Sequence, residues 1–530
     1  MKCTLSKRKS AFFICFCIRK HSLWASVRGV RHNAQRDVQR PLSLMALDLL
    51  RHCVGWLQIG PTRFRGWWSV FCRSNLREPG RYALKRKMHL AFDFSWHEAD
   101  ARWRNPESWV GAHFPAPGVF EDLARLSEAG GIDMIFFGDG TGIPNNFRGG
   151  MEEAVRYGIG WPRFDMSPWI TLMSRVTSHI GFGLTYASTF MHPFYTARLL
   201  NSLDHVTNGR MAFNVITSLR MSDFANYGFD ELPDHGARYD RLEEFIDVCR
   251  ALWTSVEPDA FVWNRKTGIV ADPTKVRAIN HVGEYFKVRG PLSVIPSPQR
   301  QPVILQAGGS PRGTRAAAHV ADHVFGMARA VPSMVKQRND LDAALVAEGR
   351  DPEKVGILWS TSVIVAETEQ EALALKESML ADLPEDAVGV WLSHNTGFDM
   401  GALPPRFTLA EVQERIVAAN ASPVGYIHIL AQEIGDHTEI TREEFFHHGV
   451  RAATGYNTTV ASSAAKVADQ LEEMFEATGS RGGFMIPISQ AGHRTPVINI
   501  IDHLVPELQR RGRFRTVYEG RTLRDNLADD

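Results

Sequence analysis

From residue 88 onward, short apolar runs alternate with longer stretches in which apolar residues return every three or four positions. The short runs are 89–94 (HLAFDF), 132–137 (IDMIFF), 180–186 (IGFGLTY), 211–216 (MAFNVI), 302–306 (PVILQ), 323–327 (HVFGM), 355–365 (VGILWSTSVIV) and 482–488 (GGFMIPI). Such runs, bounded by turn residues, predict strands buried on both faces. The longer stretches fall at about 118–129, 168–178, 194–206, 238–253, 312–320, 332–348, 368–380 and 463–477, with a last one at 496–510, and their period predicts amphipathic helices. Strands alternating with helices predict a parallel sheet with crossover connections, and eight units predict a closed TIM (β/α)8 barrel. An open doubly wound sheet is the alternative. The G-x-G-x-x-G turn that would favour it does not follow the first strand. Two connections, about 254–301 and 384–460, are too long for plain loops and read as insertions serving as lids or binding loops.

Composition divides the chain. The 530 residues carry a net charge of only +1, which gives no bias toward nucleic acid or a membrane. Residues 1–87, however, hold a net charge of +16 and five of the six cysteines, while the remainder is at −15 and keeps only Cys249. A body with one cysteine forms no internal disulfide and no cysteine-based zinc site, which suits a reducing cytoplasm. Residues 1–87 show no sustained period and read as an extension outside the fold: upstream sequence from a misplaced start, or a disordered or targeting segment. The folded body is expected over 88–530. No segment has the roughly 20 consecutive apolar residues of a membrane span.

In a TIM barrel the active site lies at the carboxyl ends of the strands. Those positions hold Gly138-Asp139-Gly140-Thr141, then Thr185–Thr189 followed by His192, then Asn214 running into Thr217-Ser218, and Gln306–Gly313. In the last, Gly308-Gly309 permit close backbone approach, and Ser310 and Pro311 stand as N-cap and first helical residue. Unpaired amides at that helix start, with Arg312 nearby, suit a phosphate; a plain capped turn is the alternative. Asp139 is either a ligand acceptor or a turn residue between glycines. His235 and Tyr239 open a strongly amphipathic helix, where they could equally pair with Asp234 and Asp240. There is no G-x-S-x-G elbow, P-loop, H-E-x-x-H or C-x-x-C, and the adjacent His447 and His448 would point apart on a helix. No metal site is expected, and a barrel without nucleophile or metal motif points to a cofactor.

The body resembles the two-component flavin monooxygenases acting on nitrilotriacetate, EDTA, dimethyl sulfide and dibenzothiophene sulfone, within the luciferase-like superfamily. The resemblance is carried by Ala101–Arg104 (ARWR), Phe136–Gly140, Thr185–Arg198, Leu203–Asn214 (LDHVTNGRMAFN), Asn214–Leu219 (NVITSL), Asn226–Gly228, His235–Phe245 (HGARYDRLEEF), Val288–Leu292, Pro302–Gly313 (PVILQAGGSPRG) and Gly512–Leu527. It implies FMN contacts at Asp139, Thr185, His235, Tyr239 and Ser310, with Asn214 a weaker candidate at the ring edge. It also implies reduced FMN supplied by a separate NAD(P)H:FMN reductase, O2 split between a small organic substrate and water, and a homodimer or homotetramer. The relatives carry His-rich sequence before the ARWR stretch, whereas this chain reads Trp96-His97-Glu98-Ala99-Asp100, which leaves no role to assign to His97. An F420-dependent oxidoreductase or a non-catalytic flavin-binding barrel would share the fold.

The charge and cysteine step at Met88 makes a prediction. A chain beginning at Met88 should match the full chain in solubility, thermal midpoint and flavin binding. Loss of folding on truncation would show residues 1–87 to be structural.

Overall fold

All eight apolar runs become strands of one closed, parallel barrel: β1 (His89–Asp93), β2 (Met134–Phe137), β3 (Gly181–Ala187), β4 (Met211–Ile216), β5 (Val303–Ala307), β6 (His323–Gly326), β7 (Gly356–Ser360) and β8 (Gly482–Pro487). This is a computed structural model that describes residues 86–95, 116–378, 383–419, 427, 430–431, 434–453, 456–488 and 494–528. The expectations for residues 1–85, for His97 and its neighbours and for the ARWR stretch lie outside the described residues. Closure is explicit in the pairing of β1 with β8, from His89 opposite Gly483 to Asp93 opposite Pro487. That pairing rules out the open sheet.

Alternation along each strand sorts the side chains into two cores. Ala91, Met134, Phe136, Ala212, Leu305, Leu358 and Met485 pack together inside the barrel. Their neighbours Leu90, Phe92, Ile135, Phe137, Phe213, Ile304, Trp359 and Phe484 belong to the larger cluster formed with the helices. Both faces of every strand are therefore buried, which is why the runs are continuously apolar. Leu523 and Leu527 of the C-terminal segment join the interior cluster, and a side chain on Gly181, at the start of β3, would run into Leu523. The C-terminal segment thus plugs the amino end of the barrel.

The helices follow the predicted stretches closely: α1 (Pro117–Ala129), α2 (Pro193–Val206), α3 (His235–Trp253), α4 (Pro311–Val320) and α5 (Val331–Ala347) lie among them. One predicted strand is corrected. The run 355–365 is two strands, because Thr361-Ser362 interrupts it and Val363–Ala366 leaves the barrel to pair with Val460–Ser463. Residues 254–301 hold two small antiparallel ribbons, Phe261–Asn264 with Ile269–Ala271 and His281–Val282 with Lys287–Val288.

The second insertion is more substantial. It contains α6 (Glu385–Thr396), α7 (Leu409–Ala418) and α8 (Arg442–Ala453), with Arg406–Thr408 paired antiparallel to Glu439–Thr441. Thr408 and Glu411 form a capping box that starts α7. Val388, Leu392, Phe407, Val412, Ile416 and Phe445 build a separate core, and Phe147, Ala154 and Ile159 from the connection after β2 complete it. The insertion is thereby fastened to the loops at the carboxyl end of β2. The rest of the chain continues with α9 (Ala464–Ala477) before β8.

Because this core is separate from that of the barrel, the two should come apart separately. Phe445 is fully buried and packs edge-on against Phe407 at 5.4 Å. Phe445→Ala should cost about 3–5 kcal/mol locally. Hydrogen exchange should accelerate in α7 and α8 while the barrel strands keep their protection. Equal loss of protection in β1–β8 would contradict this division.

Candidate functional site

The open end of the barrel carries polar side chains on four successive strands. On β3 and β4 the register places Thr185 opposite Asn214, both buried, and Asn214 Nδ2 donates to Thr185 Oγ1 at 3.0 Å. Asn214 Oδ1 is buried and accepts nothing. Burying an amide oxygen without a donor is costly, which sets this position apart from the apolar wall around it.

After β5 the chain enters α4 through Gly308-Gly309-Ser310. Ser310 is the N-cap, and its Oγ accepts from Gly313 N at 3.0 Å, which leaves its own hydrogen to donate elsewhere. Tyr239, on the second turn of α3, reaches the same cap. Burial pushes its phenol up, opposed by the Arg238 charge and by hydrogen bonds with Ser310 and Gln306. A Cβ on Gly313 would stand 2.9 Å from Tyr239 Oη and 3.2 Å from Ser310 Oγ, whereas one on Gly309 would meet nothing. His235 opens α3 and sets its ring edge-on to Tyr239 at 5.2 Å, with Asp234 capping the helix through Gly236 N and Ala237 N. His235, Tyr239 and Ser310 are therefore brought together, as are Thr185 and Asn214.

Two sequence expectations change here. Arg312 does not face the helix start: it pairs with Glu243 and Asp240, both at 2.6 Å, and lies over the Tyr239 ring. Those partners sit on another helix, out of reach of a local reading. Asp240 is thus a partner of Arg312, and Asp234 serves as the cap. Arg238, which had not been singled out, sends Nη1 to Ser218 O, and its Nε is buried without a partner. Its position beside Tyr239 in HGARYD was the available signal.

Asp139 stands on the next strand round, after β2, at the wall of a cavity of about 360 Å³ shared with Arg163, Asp165, Tyr186, Ser218 and Asp223. Asp223 ties two rim loops together, accepting from Thr141 N at 2.8 Å, Gly142 N at 2.7 Å and Ser218 Oγ at 2.9 Å. Asp165 accepts from Tyr186 Oη at 3.0 Å and Ser167 N at 2.8 Å. Nothing in the local sequence marks Arg163, Asp165 or Asp223, since their partners are remote in the chain. Among the described residues no cluster of His, Cys, Asp or Glu could hold a metal ion, and no helix is long and apolar enough to cross a membrane.

A parallel barrel whose open end gathers a capped helix start, an orphaned amide and a polar cavity defines a cofactor-using α/β-barrel enzyme. The chain belongs to the luciferase-like monooxygenase family, whose model matches residues 100–482. It is 34% identical to the dibenzothiophene-sulfone monooxygenase of Rhodococcus erythropolis (strain XP) over 84% of this chain and 97% of that protein. It is likewise 34% identical to the N-acetyl-S-(2-succino)cysteine monooxygenase of Bacillus subtilis (strain 168), over 81% and 93%. The crystal structure of DmoA from Hyphomicrobium sulfonivorans superposes with a TM-score of 0.74 at 32% identity, over 84% of this chain and 93% of that one. The protein is accordingly a flavin-dependent monooxygenase.

Asp139 has a pH signature. Burial pushes its carboxyl up to about 7, partly offset by the bond from Gly140 N and reinforced by Asp165 and Asp223. A folded pKa above the ordinary 3.8 means that the fold penalises the ionised form. The penalty is absent below about pH 4, develops as pH rises and is complete above about 7. Asp139→Asn should therefore raise the thermal midpoint of the ligand-free protein at pH 8 and leave it unchanged at pH 4. The same difference at both values would show that Asp139 is not desolvated.

Proposed function

We propose that the protein oxygenates a small organic molecule, using O2 and reduced FMN delivered by a separate NAD(P)H:FMN reductase. The observation that carries this reading is the Ser310 cap, backed by Tyr239 and approached through Gly308-Gly309, on the same rim as the orphaned Asn214 Oδ1. A phosphate fits the cap, and a ring with an N–H edge fits Asn214. These residues match a phosphorylated flavin. Ser310 and Tyr239 would hold the phosphate with His235 against Tyr239, while Thr185, Asn214 and Asp139 would line the ring. When bound, the reduced flavin supplies the electrons that activate O2.

The protein's own tasks are positional. Ser310 Oγ donates to a phosphate oxygen while still accepting from Gly313 N. Asn214, oriented by its bond to Thr185, presents Oδ1 to the ligand. The insertion carrying α6–α8, fastened over the connection after β2, keeps water from the cavity, which limits loss of activated oxygen as peroxide. The relatives' names cover a sulfone, an N-acetylated succinocysteine and nitrilotriacetate, so they support a small organic substrate, containing sulfur or nitrogen, and choose no further.

The chemistry is tested by supplying NADH, FMN and a generic FMN reductase to the purified protein with a panel of sulfides, sulfones and amino acids under labelled O2. One labelled oxygen should appear in product only when the reductase is present. Turnover with reduced deazaflavin and no O2 requirement would overturn the reading, and flavin binding with no product across the panel would favour a binding module.

The phosphate assignment is tested at Ser310. Ser310→Ala should lower stability by about 0.5–2 kcal/mol through the lost cap. It should also weaken reduced-FMN binding by about 1.5–3 kcal/mol, which is roughly 10- to 150-fold. Ser310→Asp keeps a cap but sets a negative charge against the phosphate, so stability should survive and binding should nearly vanish. Wild-type FMN affinity in Ser310→Asp would move the phosphate elsewhere on the rim.

A further inference from the structure

We infer that the substrate of this cavity carries an anionic group, a carboxylate or a sulfonate, which Arg163 receives with Arg220 beside it. The inference rests on the monooxygenase reading of the same site and names the substrate class that reading leaves open.

Arg163 lines the cavity, with Nη1 donating to Gly140 O at 2.8 Å. Its Nε is buried and has no partner, and among the described residues no carboxylate lies at ion-pair distance. Three enclosed arginines show fuller provision, whereas Arg238, Arg338 and Arg481 share the unpartnered Nε. Arg515 meets Asp133, Arg513 meets Glu472, and Arg210 spends its guanidinium on the oxygens of Ser174, Thr177, Ile180 and Thr207. Arg163 has one carbonyl. A guanidinium taken out of water with a single carbonyl for partner is costly, and an anion in the cavity that Arg163 lines is the partner it lacks.

A second positive charge stands next to it. The space that a side chain on Gly140 would fill is bounded by Arg163 Nη1 and, at 3.2 Å, by Arg220 Nη1. Gly140 therefore lets two guanidinium groups converge on one point. Burial lowers Arg163 to about 9, and the Arg220 charge adds to the drop against the pull of Asp223. From the insertion, His394 on α6 comes close enough to feel both arginines: burial, then Arg220, then Arg163 hold it down at about 2. It is neutral at working pH, and its buried Nδ1 has no partner. The carboxylates at the cavity are turned to other donors. Asp165 faces Tyr186 and Ser167, Asp223 faces Thr141, Gly142 and Ser218, and Asp139 faces Gly140.

The flavin phosphate is a poor candidate for this anion. Its cap follows β5, whereas Gly140 and Arg163 belong to the connection after β2, three strands round the ring. The anion point instead lies beside Asp139, in the connection after β2 to which the insertion is fastened.

The probes are succinate and its neutral dimethyl ester. Binding to the full-length protein is measured by calorimetry, without flavin and with FMN added. Succinate should bind at least ~10-fold more tightly than the ester, and Arg163→Gln should remove that preference by weakening succinate alone. Arg163→Lys, which keeps the charge and loses the fork, should fall between. Equal affinity for acid and ester in the wild type overturns the inference, and that comparison needs no variant to fold. So does an unchanged preference in Arg163→Gln. Displacement of succinate by FMN also overturns it, since the anion would then be the flavin's own. The two readings fail separately. Acid preference without oxygenation of any substrate would sink the monooxygenase chemistry and leave the anion site standing. Oxygenation of a neutral sulfide, with the same kcat/KM in wild type and Arg163→Gln and no acid preference, would do the reverse.

Discussion

Closure of the sheet between β1 and β8 is the constraint from which the remaining architecture follows. A ring of parallel strands has no edge, and its strands must be covered on both faces, by helices outside and by side chains within. Leu523 and Leu527 fill the amino end of that interior. Beneath them the fold is pinned by Asp133, fully buried, which accepts from Leu90 N and pairs with Arg515 and His89. Burial pushes that carboxyl up, but Arg515 and His89 outweigh it and hold it below the ordinary range. With one end plugged and the wall sealed, the barrel offers its carboxyl rim to a ligand, and the candidate residues lie there.

The second insertion is held to the barrel by a different route. Its apolar faces do not extend the barrel core but meet Phe147, Ala154 and Ile159 from the connection after β2. Two bodies with separate cores can shift relative to one another at lower cost than a single packed interior allows. A cavity that must admit substrate and then exclude water benefits from that arrangement.

The barrel was legible because its signal is local. Eight runs with buried strand composition, each followed by a helical period, need no partner to be recognised. The 355–365 run was over-read because apolar continuity does not reveal where a chain leaves a sheet; the polar Ser360-Thr361-Ser362 was the only sign. The helices of the insertion were invisible as structure because their apolar faces answer to Phe147, far away in the chain. The same distinction divides the site. Ser310 could be read as a cap from its own neighbours, and the structure places it as one. Arg312 was misjudged, since Asp240 and Glu243 on α3 decide where it points. Arg163 carried no mark at all, because its character is conferred by Gly140, Arg220 and His394.

Unmatched polar atoms of both kinds lie on the rim. On the β4 and β5 side the buried orphans include the acceptors Asn214 Oδ1 and Gln306 Oε1 and the donor Arg238 Nε. On the β2 side, and on the insertion above it, they are Arg163 Nε, an obligate donor, and the neutral His394 Nδ1. One ligand with a single polarity would leave one of these groups unsatisfied, at a cost of about 1–3 kcal/mol per buried atom. The rim thus presents both donors and acceptors, which agrees with the proposed ring against β4 and the proposed anionic substrate beside Arg163.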